Sequence, residues 1–91
     1  MTITPGMIVR HFKHETLTEE EKAEHKYTYK ILCEAFHTET GERLVIYQAL
    51  YKNEKGEYKI CARPYDMFTS EVDKEKYPDI RQKYRFEPEN N

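Results

Sequence analysis

The chain has 91 residues, 37% of them hydrophobic and 35% charged, and its 15 basic and 17 acidic side chains give a formal net charge of −2. This length corresponds to a single domain, residues 1–91, with a small hydrophobic core. The near balance of charges speaks against binding to nucleic acid or to a membrane surface, which both call for an excess of Lys and Arg. The N-terminal stretch MTITPGMIV has neither a basic region nor a long apolar run, so we expect a cytoplasmic protein without a signal peptide or a membrane helix.

A short strand and a short helix are the first predicted elements. Residues 7–13 follow a Pro-Gly turn pair and predict the strand. A helix is predicted to begin after Thr18, because Glu21 follows it at the spacing of a capping box. The only apolar residue inside this helix is Ala23, so the helix has no face to bury. We therefore expect residues 14–26 to form a weakly ordered insertion at the surface.

Three longer strands are predicted at residues 26–38, 43–52 and 57–63, from apolar residues that alternate or run continuously. The turns between them share the pattern x-Glu-x-Gly-Glu, which places Gly41 and Gly56 at equivalent positions. A glycine there predicts a three-residue hairpin loop closed by a residue with a left-handed backbone. The middle strand is apolar on both faces, so we expect it to be central.

This turn type predicts a register in which Thr38 lies opposite Glu42 and Asn53 lies opposite Glu57. One row across the three strands then consists of Cys33, Tyr47 and Arg63. The two cysteines of the chain, at positions 33 and 61, lie on the two outer strands of this meander, about 10 Å apart across the central strand. We therefore expect two free and mostly buried thiols without a disulfide.

The C-terminal third predicts a turn, a loop and an edge strand. Residues 65–68 are too short for a regular helix and predict a tight turn that delivers Met67 and Phe68 to the open end of the core. Val72 is a candidate anchor in the polar loop that follows, and residues 80–86 alternate apolar and basic side chains like a half-buried edge strand. The expected fold is mainly β: a small SH3-like barrel or roll of about five antiparallel strands, closed by the first and last strands.

Several motifs occur in an order that resembles a known family. They are Arg10-His11-Phe12-Lys13, His37-Thr38-Glu39-Thr40, the run from Leu44 to Tyr51, Arg63-Pro64 and Met67-Phe68. Over nearly its whole length the chain resembles the small bacterial family called domain of unknown function 1653. The resemblance implies an SH3-like roll and implies no activity, because that family has no assigned function. Similar sequences often have tryptophan in place of Cys61 and arginine in place of Gln48.

The row of Cys33, Tyr47 and Arg63, with His37 further along the first strand, is the most interesting polar group of the predicted sheet. Arg63 could present its planar guanidinium to a carboxylate or a phosphate, with the Tyr47 ring beneath it. The alternative is an arginine stacked on a tyrosine that only supports the strand register, which is the more common arrangement.

His11, His37 and Glu39 are residue types that bind metals and might gather at one end of the fold, but their spacing matches no metal-site signature, so we expect no metal. For catalysis, Cys33 and His37 lie on one strand about 13 Å apart, beyond hydrogen-bond reach. We therefore expect no catalytic residues, no cofactor and histidines that are hydrogen-bonded or face solvent.

The leading hypothesis is a monomeric, non-catalytic binding module that recognises a protein or a small molecule through a tyrosine-lined surface, since the chain has eight tyrosines. Its candidate ligand-binding residues are His11, His37, Glu39, Tyr47 and Arg63. The first alternative is an enzyme, or an enzyme accessory, with a pocket of His37, Glu39, Tyr47 and Arg63. The second is single-stranded nucleic-acid binding through residues 81–86, where basic and aromatic side chains alternate.

Overall fold

Five antiparallel strands form one open sheet in the computed structural model, which describes residues 2–89. The strands are β1 Ile8–His11, β2 Thr28–Phe36, β3 Arg43–Ala49, β4 Ile60–Pro64 and β5 Phe86–Pro88. A 3-10 helix at Phe12–Thr16 and two short α-helices, α1 Glu19–Ala23 and α2 Tyr65–Phe68, lie between them. The order across the sheet is β4-β3-β2-β1-β5, so β3 is flanked on both sides. The expectation of a mainly β fold with about five antiparallel strands is confirmed.

The sheet does not close into a barrel, and the predicted closure by the first and last strands is wrong. β1 and β5 pair with each other, and β5 and β4 are the two edges of the sheet. β5 has only three residues, all of which pair with β1, so no strand among residues 2–89 bridges the gap to β4. The sheet is nevertheless strongly curled. The guanidinium carbon of Arg63 in β4 lies 5.6 Å from the centroid of the Phe86 ring in β5, although these strands lie at opposite edges.

The hydrophobic core lies on the concave face of this curled sheet. Its buried residues are Val9, Ile31, Val45, Tyr47, Phe68 and Phe86. The rings of Phe68 and Phe86 stack with centroids 4.1 Å apart and an interplanar angle of 5°. The short helix α2 therefore delivers Phe68 to the core as predicted, and Val72 is buried as predicted. Met67 was expected in the core beside Phe68, but it is 46% exposed, because adjacent residues of a helical turn point in different directions and Phe68 is the one that is buried.

Both hairpin turns have the predicted glycine conformation. Gly41 has a φ of 72° and Gly56 a φ of 78°, which places both in the left-handed region. The register next to the second turn is also as predicted, since the N–H of Asn53 donates to the carbonyl of Glu57 over 2.9 Å. Local turn chemistry therefore acts here as the sequence indicated.

The register of the first hairpin, between β2 and β3, differs from the prediction. His37 rather than Thr38 lies opposite Glu42, and its N–H donates to the Glu42 carbonyl over 2.8 Å. An irregularity in the pairing between Ile31 and Cys33 shifts the register by one further residue. Such a bulge bends the strand and increases its twist, which is consistent with the curl of the sheet.

The second hairpin, between β3 and β4, carries a larger irregularity. The N–H of Ala49 donates to the carbonyl of Lys59, whereas the N–H of Asn53 donates to the carbonyl of Glu57. Residues 50–52 after β3 therefore lie opposite a single residue before β4, Tyr58. Tyr47 therefore does not lie opposite Arg63, and the predicted row of Cys33, Tyr47 and Arg63 is wrong. The observed row is Ile31, Tyr47 and Cys61.

The bulge in β2 also decides the exposure of a cysteine. Cys33 pairs with Ile46, the neighbour of the inward-facing Tyr47, and therefore lies on the outer face of the sheet. Cys33 is exposed and Cys61 is half-buried, and both are free thiols. The prediction of two mostly buried thiols is thus wrong for Cys33, because without the bulge that residue would share the inward face of Ile31.

The predicted edge strand at residues 80–86 is wrong in position, since β5 begins only at Phe86. The N–H groups of Lys83 and Tyr84 donate to a carboxylate oxygen of Glu87, both over 3.0 Å, rather than to a neighbouring strand. These two hydrogen bonds to Glu87 form a turn just before residues 86–88 pair with β1. Tyr84 makes one isolated bridge to Glu71.

Residues 14–26 contain the predicted capping box and an unexpected polar anchor. The side chain of Thr18 accepts from the N–H of Glu21, and the Glu21 carboxylate accepts from the N–H of Thr18, which confirms the helix start. Before the helix, the carboxylate of Glu15 accepts from the N–H groups of Arg81 and Gln82 over 2.8 and 2.7 Å. The first part of this segment is therefore tied to the C-terminal loop by hydrogen bonds rather than by apolar contacts.

Candidate functional site

Three of the five predicted site residues come together on the concave face of the sheet. The ring centroids of His11 and Tyr47 lie 5.1 and 5.5 Å from that of Phe86, and the guanidinium of Arg63 lies over the same ring. They meet because the curl brings β1, β3 and β4 around the first residue of β5. We call His11, Tyr47 and Arg63 the cationic cluster.

Tyr47 and Arg63 are joined by a hydrogen bond in spite of their register. Arg63 pairs with Val45, two residues from Tyr47 on the same face of β3. Its long side chain crosses this diagonal, and its Nε donates to the Tyr47 hydroxyl oxygen over 3.2 Å. Among residues 2–89, the terminal nitrogens of Arg63 have no hydrogen-bond partner.

His11 is neutral and has a defined tautomer. Its Nδ1 accepts a hydrogen bond from the N–H of Lys13 over 3.1 Å, which places the ring proton on Nε2. Burial, followed by the positive charges of Arg63 and Arg85, lowers the pKa of His11 to about 4. His11 therefore presents an N–H donor without adding charge at neutral pH.

The Nε2 atom of His11 has no hydrogen-bond partner within residues 2–89. The residue as a whole is only 9% exposed, so the imidazole is largely buried beside the ring of Phe86.

His37 and Glu39 are placed elsewhere, at the exposed turn between β2 and β3. The Nδ1 atom of His37 accepts from the N–H groups of Glu39 and Thr40 over 3.2 and 3.4 Å, so the imidazole caps the turn. Glu42, which lies opposite His37, is about 17 Å from Tyr47 along β3. The structure therefore does not bring His37 and Glu39 to Tyr47 and Arg63.

A second candidate site is an open groove of about 1060 Å³ between residues 21–26 and the hairpin residues 50–59. Tyr51 and Tyr58 line it together with four lysines and four glutamates. Tyr58 is 49% exposed, with the ammonium group of Lys52 5.8 Å from the centroid of its ring. We call this feature the tyrosine groove. It exists because residues 50–52 leave the regular pairing of β3 with β4.

Aromatic contacts fix the position of Tyr51, which lines the tyrosine groove. The hydroxyl groups of Tyr51 and Tyr29 lie 2.9 Å apart in a hydrogen bond, and the rings of Tyr51 and Tyr27 are 6.2 Å apart. Burial, followed by the hydrogen bond to Tyr51, raises the pKa of Tyr29, so this hydroxyl stays protonated. Tyr27 has a φ of 63°, a left-handed backbone that is strained for an aromatic residue.

The sequence did not indicate that Tyr51 and Tyr58 line one groove. The place of Tyr51 and Tyr58 depends on the irregular pairing of residues 50–52, for which no local signal such as glycine is present.

Within residues 2–89 no three side chains of the types His, Cys, Asp and Glu are grouped as metal ligands. None of the helices in that range is both long and apolar enough to span a membrane.

The molecule is thus a small, mainly β domain with a curled open sheet, a cationic cluster on its concave face and a groove lined by tyrosines. A family model described as "Protein of unknown function (DUF1653)" matches residues 7–88, which is nearly the whole chain, and the chain belongs to this family. The resemblance seen in the sequence is thereby confirmed. Neither a curated protein nor a solved structure matches the chain.

Proposed function

We propose that this domain is a non-catalytic binding module that holds a partner in the tyrosine groove. The single observation behind the proposal is the open groove of about 1060 Å³ with Tyr51 and Tyr58 in its lining. Tyrosine offers a large, amphipathic contact area at a low cost in side-chain entropy, and it is enriched where proteins meet partners. Tyr58 contributes little to the core, since it is 49% exposed, and is therefore free to contact a ligand.

The lining favours a polypeptide over a small metabolite. Sites for small molecules are mostly apolar and enclose their ligand. The tyrosine groove is open and carries four lysines and four glutamates. This alternation of charge suits a peptide segment with both signs of charge, which pairs with the rim while its apolar side chains pack on the tyrosines.

The two alternatives have less support. The enzyme hypothesis requires His37 and Glu39 beside Tyr47 and Arg63, and these two pairs lie at separate places. The hypothesis of single-stranded nucleic-acid binding requires several aromatic rings on which bases can stack, whereas of the two rings in residues 81–86 that of Phe86 is 1% exposed and only that of Tyr84 is partly accessible. We further interpret the curled sheet as an SH3-like roll that lacks closure, and the domain as a cytoplasmic monomer.

Selection of peptides from a random library displayed on phage tests the proposal. We expect enriched peptides to bind the wild-type domain and to perturb the amide NMR signals of residues 50–59. The change Tyr58→Ala should weaken binding at least tenfold, because truncation of a central aromatic anchor costs about 2 kcal/mol or more. It should leave the melting temperature nearly unchanged, since the side chain is exposed.

The matched control is Tyr84→Ala, which removes a tyrosine outside the groove. This variant should bind the selected peptides like the wild type. A library without any enriched binder would contradict the proposed function. Unchanged affinity of the selected peptides for Tyr58→Ala would contradict it as well.

A further inference from the structure

We propose that the open edge of β4 is a site of strand addition, at which a partner peptide pairs as a further strand of the five-stranded sheet. This inference rests on the proposed function, because it states how the peptide of the tyrosine groove is held. It depends on the direction of the backbone groups of β4, on the exposed apolar side chains along this strand, and on its position next to the groove.

The backbone N–H and carbonyl groups of Ile60 and Ala62 point to the open edge of β4. The N–H of Ala49 donates to the carbonyl of Lys59 over 2.9 Å, in line with the regular register of β3 with β4. In an antiparallel ladder only every second residue of a strand bonds to a given neighbour. The odd-numbered residues of β4 therefore bond to β3, and the even-numbered ones turn their backbone groups away from it.

The pairing on the other side of β3 leads to the same direction. Directly after β3, the N–H of Leu50 donates to the carbonyl of Thr28 over 2.9 Å, so the even-numbered residues of β3 bond to β2 and the odd-numbered ones to β4. β4 is an edge of the sheet, and no group among residues 2–89 forms a hydrogen bond with the main chain of Ile60 or Ala62. Both residues therefore offer a free donor and a free acceptor to a partner.

The side chains along this edge are apolar and accessible. Ile60 is 58% exposed, and Ala62 is exposed as well. Edge strands commonly avoid pairing with other chains by being very short or by carrying charges or proline. β5, the other edge, has three residues and ends in Pro88, whereas Ile60 and Ala62 carry no charge and β4 has a proline only at its last position, Pro64. β4 is therefore the edge that accepts a further strand.

The open edge begins where the lining of the tyrosine groove ends. Tyr58 and Lys59 line the groove, and the next residue, Ile60, is the first of β4. Two residues of extended chain span about 7 Å, so a peptide in contact with Tyr58 lies close to the edge. An extended peptide of about eight residues is roughly 26 Å long and can contact both features.

The geometry selects an extended peptide with apolar side chains at alternate positions. Peptide residues level with Ile60 and Ala62 direct their side chains to the same face of the sheet, so two apolar residues separated by one other residue pack beside them. The hydrogen bonds to the edge supply affinity, and the alternate side chains supply specificity. A helical peptide uses its own backbone groups internally and cannot pair with the edge.

Hydrogen exchange followed by NMR is the first test, with the peptides selected from the phage library as probes. In the free domain the N–H groups of Ile60 and Ala62 should exchange about tenfold or more faster than those of Cys61 and Arg63, which bond to β3. Saturation with a selected peptide should slow the exchange of Ile60 and Ala62 at least about tenfold. A bound peptide that leaves both amides unprotected would overturn strand addition, although the groove proposal would stand.

The same experiment detects a second copy of the chain as the occupant of this edge. In that case the N–H groups of Ile60 and Ala62 would be protected without any peptide, and sedimentation would show a dimer at the concentration used for NMR. This result would overturn the assignment of the edge to a partner peptide.

Peptides that are N-methylated at one position provide a second test, which leaves the protein unchanged. In a peptide that pairs with β4, every second N–H faces the strand, and the others face solvent. Methylation along the paired segment should therefore weaken binding by about tenfold or more at alternate positions and have little effect between them. Equal effects at all these positions would overturn the pairing.

Protein variants separate the edge from the groove. Ala62→Pro should weaken binding of the selected peptides by about tenfold or more, because it removes a donor of the open edge, where proline is tolerated. Ile60→Ser should also weaken binding, and it serves if thermal unfolding shows that Ala62→Pro is not folded. The control Met67→Ser removes an exposed apolar side chain of α2 and should bind like the wild type.

The two proposals fail in different ways. Strand addition would be wrong, and the groove proposal would stand, if Tyr58→Ala weakens binding while Ala62→Pro and Ile60→Ser bind like the wild type. An equal loss in Met67→Ser would also overturn strand addition, because any exposed apolar residue would then have the same effect. A library without any enriched peptide would contradict both proposals.

Discussion

The hydroxyl oxygen of Tyr47 accepts a hydrogen bond from Nε of Arg63 over 3.2 Å, although these residues are not cross-strand partners. Tyr47 is buried in the core, and Arg63 lies on the edge strand β4. The bond thereby attaches a charged side chain at the edge of the sheet to the aromatic core. It also holds the guanidinium over the ring of Phe86.

A double-mutant cycle of Tyr47→Phe and Arg63→Gln measures this relationship. We expect each single change to lower the free energy of unfolding by about 1 kcal/mol, since each removes one partly buried hydrogen bond. The double variant should lose less than the sum of the two, with a coupling energy of about 0.5–1.5 kcal/mol from urea unfolding curves. Strict additivity would mean that the contact contributes nothing to stability.

The stability of the domain should fall on acidification because of His11. Its pKa is 6.5 in the unfolded chain and about 4 in the folded one, so between these pH values the unfolded state binds the additional proton. The contribution of His11 to the free energy of unfolding is therefore fully present above pH 6.5 and is lost as the pH falls to about 4. At about 1.4 kcal/mol per pH unit, this amounts to roughly 3 kcal/mol.

Urea unfolding of wild type and His11→Gln at pH 7 and pH 4.5 checks this prediction. The variant should lose less stability on acidification than the wild type, because carboxylates titrate in both but the imidazole only in one. His25→Asn is the control, since His25 is exposed and asparagine tolerates its left-handed φ of 62°. Equal pH dependence of His11→Gln and wild type would show that burial of His11 does not lower its pKa.

The insertion at residues 14–26 should divide into an anchored part and a dispensable part. Glu15→Ala should lower the free energy of unfolding by about 1–2 kcal/mol, because it leaves the N–H groups of Arg81 and Gln82 without their charged acceptor. Burial alone would raise the pKa of Glu15, but these two donors together outweigh it and lower the pKa. Chemical denaturation of Glu15→Ala, with the exposed Glu24→Ala as control, measures the effect.

Replacement of residues 18–24 by a short Gly-Ser linker should leave a cooperative thermal transition, because helix α1 buries no residue. Calorimetry of this deletion variant provides the test. A broad, non-cooperative transition would show that α1 is part of the folding unit rather than an insertion.

The two cysteines should react at different rates. Cys33 is exposed on the outer face, whereas Cys61 is half-buried beside the core, so a thiol reagent should modify Cys33 first in the native protein. Strand β3 separates them by about 10 Å, more than the roughly 7 Å that a disulfide allows between Cα atoms. Titration after unfolding without reductant should find both thiols, and Cys33→Ser should abolish the fast phase. A fast phase that persists in Cys33→Ser would place Cys61 at the surface.

The sequence by itself determined the features that depend on a few neighbouring residues. The left-handed backbone of Gly41 and Gly56 follows from the turn pattern around each glycine, and the start of α1 follows from the spacing of Thr18 and Glu21. The existence of the strands follows from their apolar alternation. Each of these signals depends only on residues a few positions apart in the sequence, so it can be recognised without knowledge of the rest of the fold.

Only the tertiary structure decided which residues meet. The bulge between Ile31 and Cys33 and the irregular pairing of residues 50–52 cost regular hydrogen bonds, and they bend the sheet around the stacked core rings. These irregularities moved Arg63 away from its predicted partner and turned Cys33 outward. The same curl brought Arg63 of one sheet edge over Phe86 of the other. The reason is physical: the register of a strand depends on how the whole concave face packs, and packing sums contacts from every element of the chain.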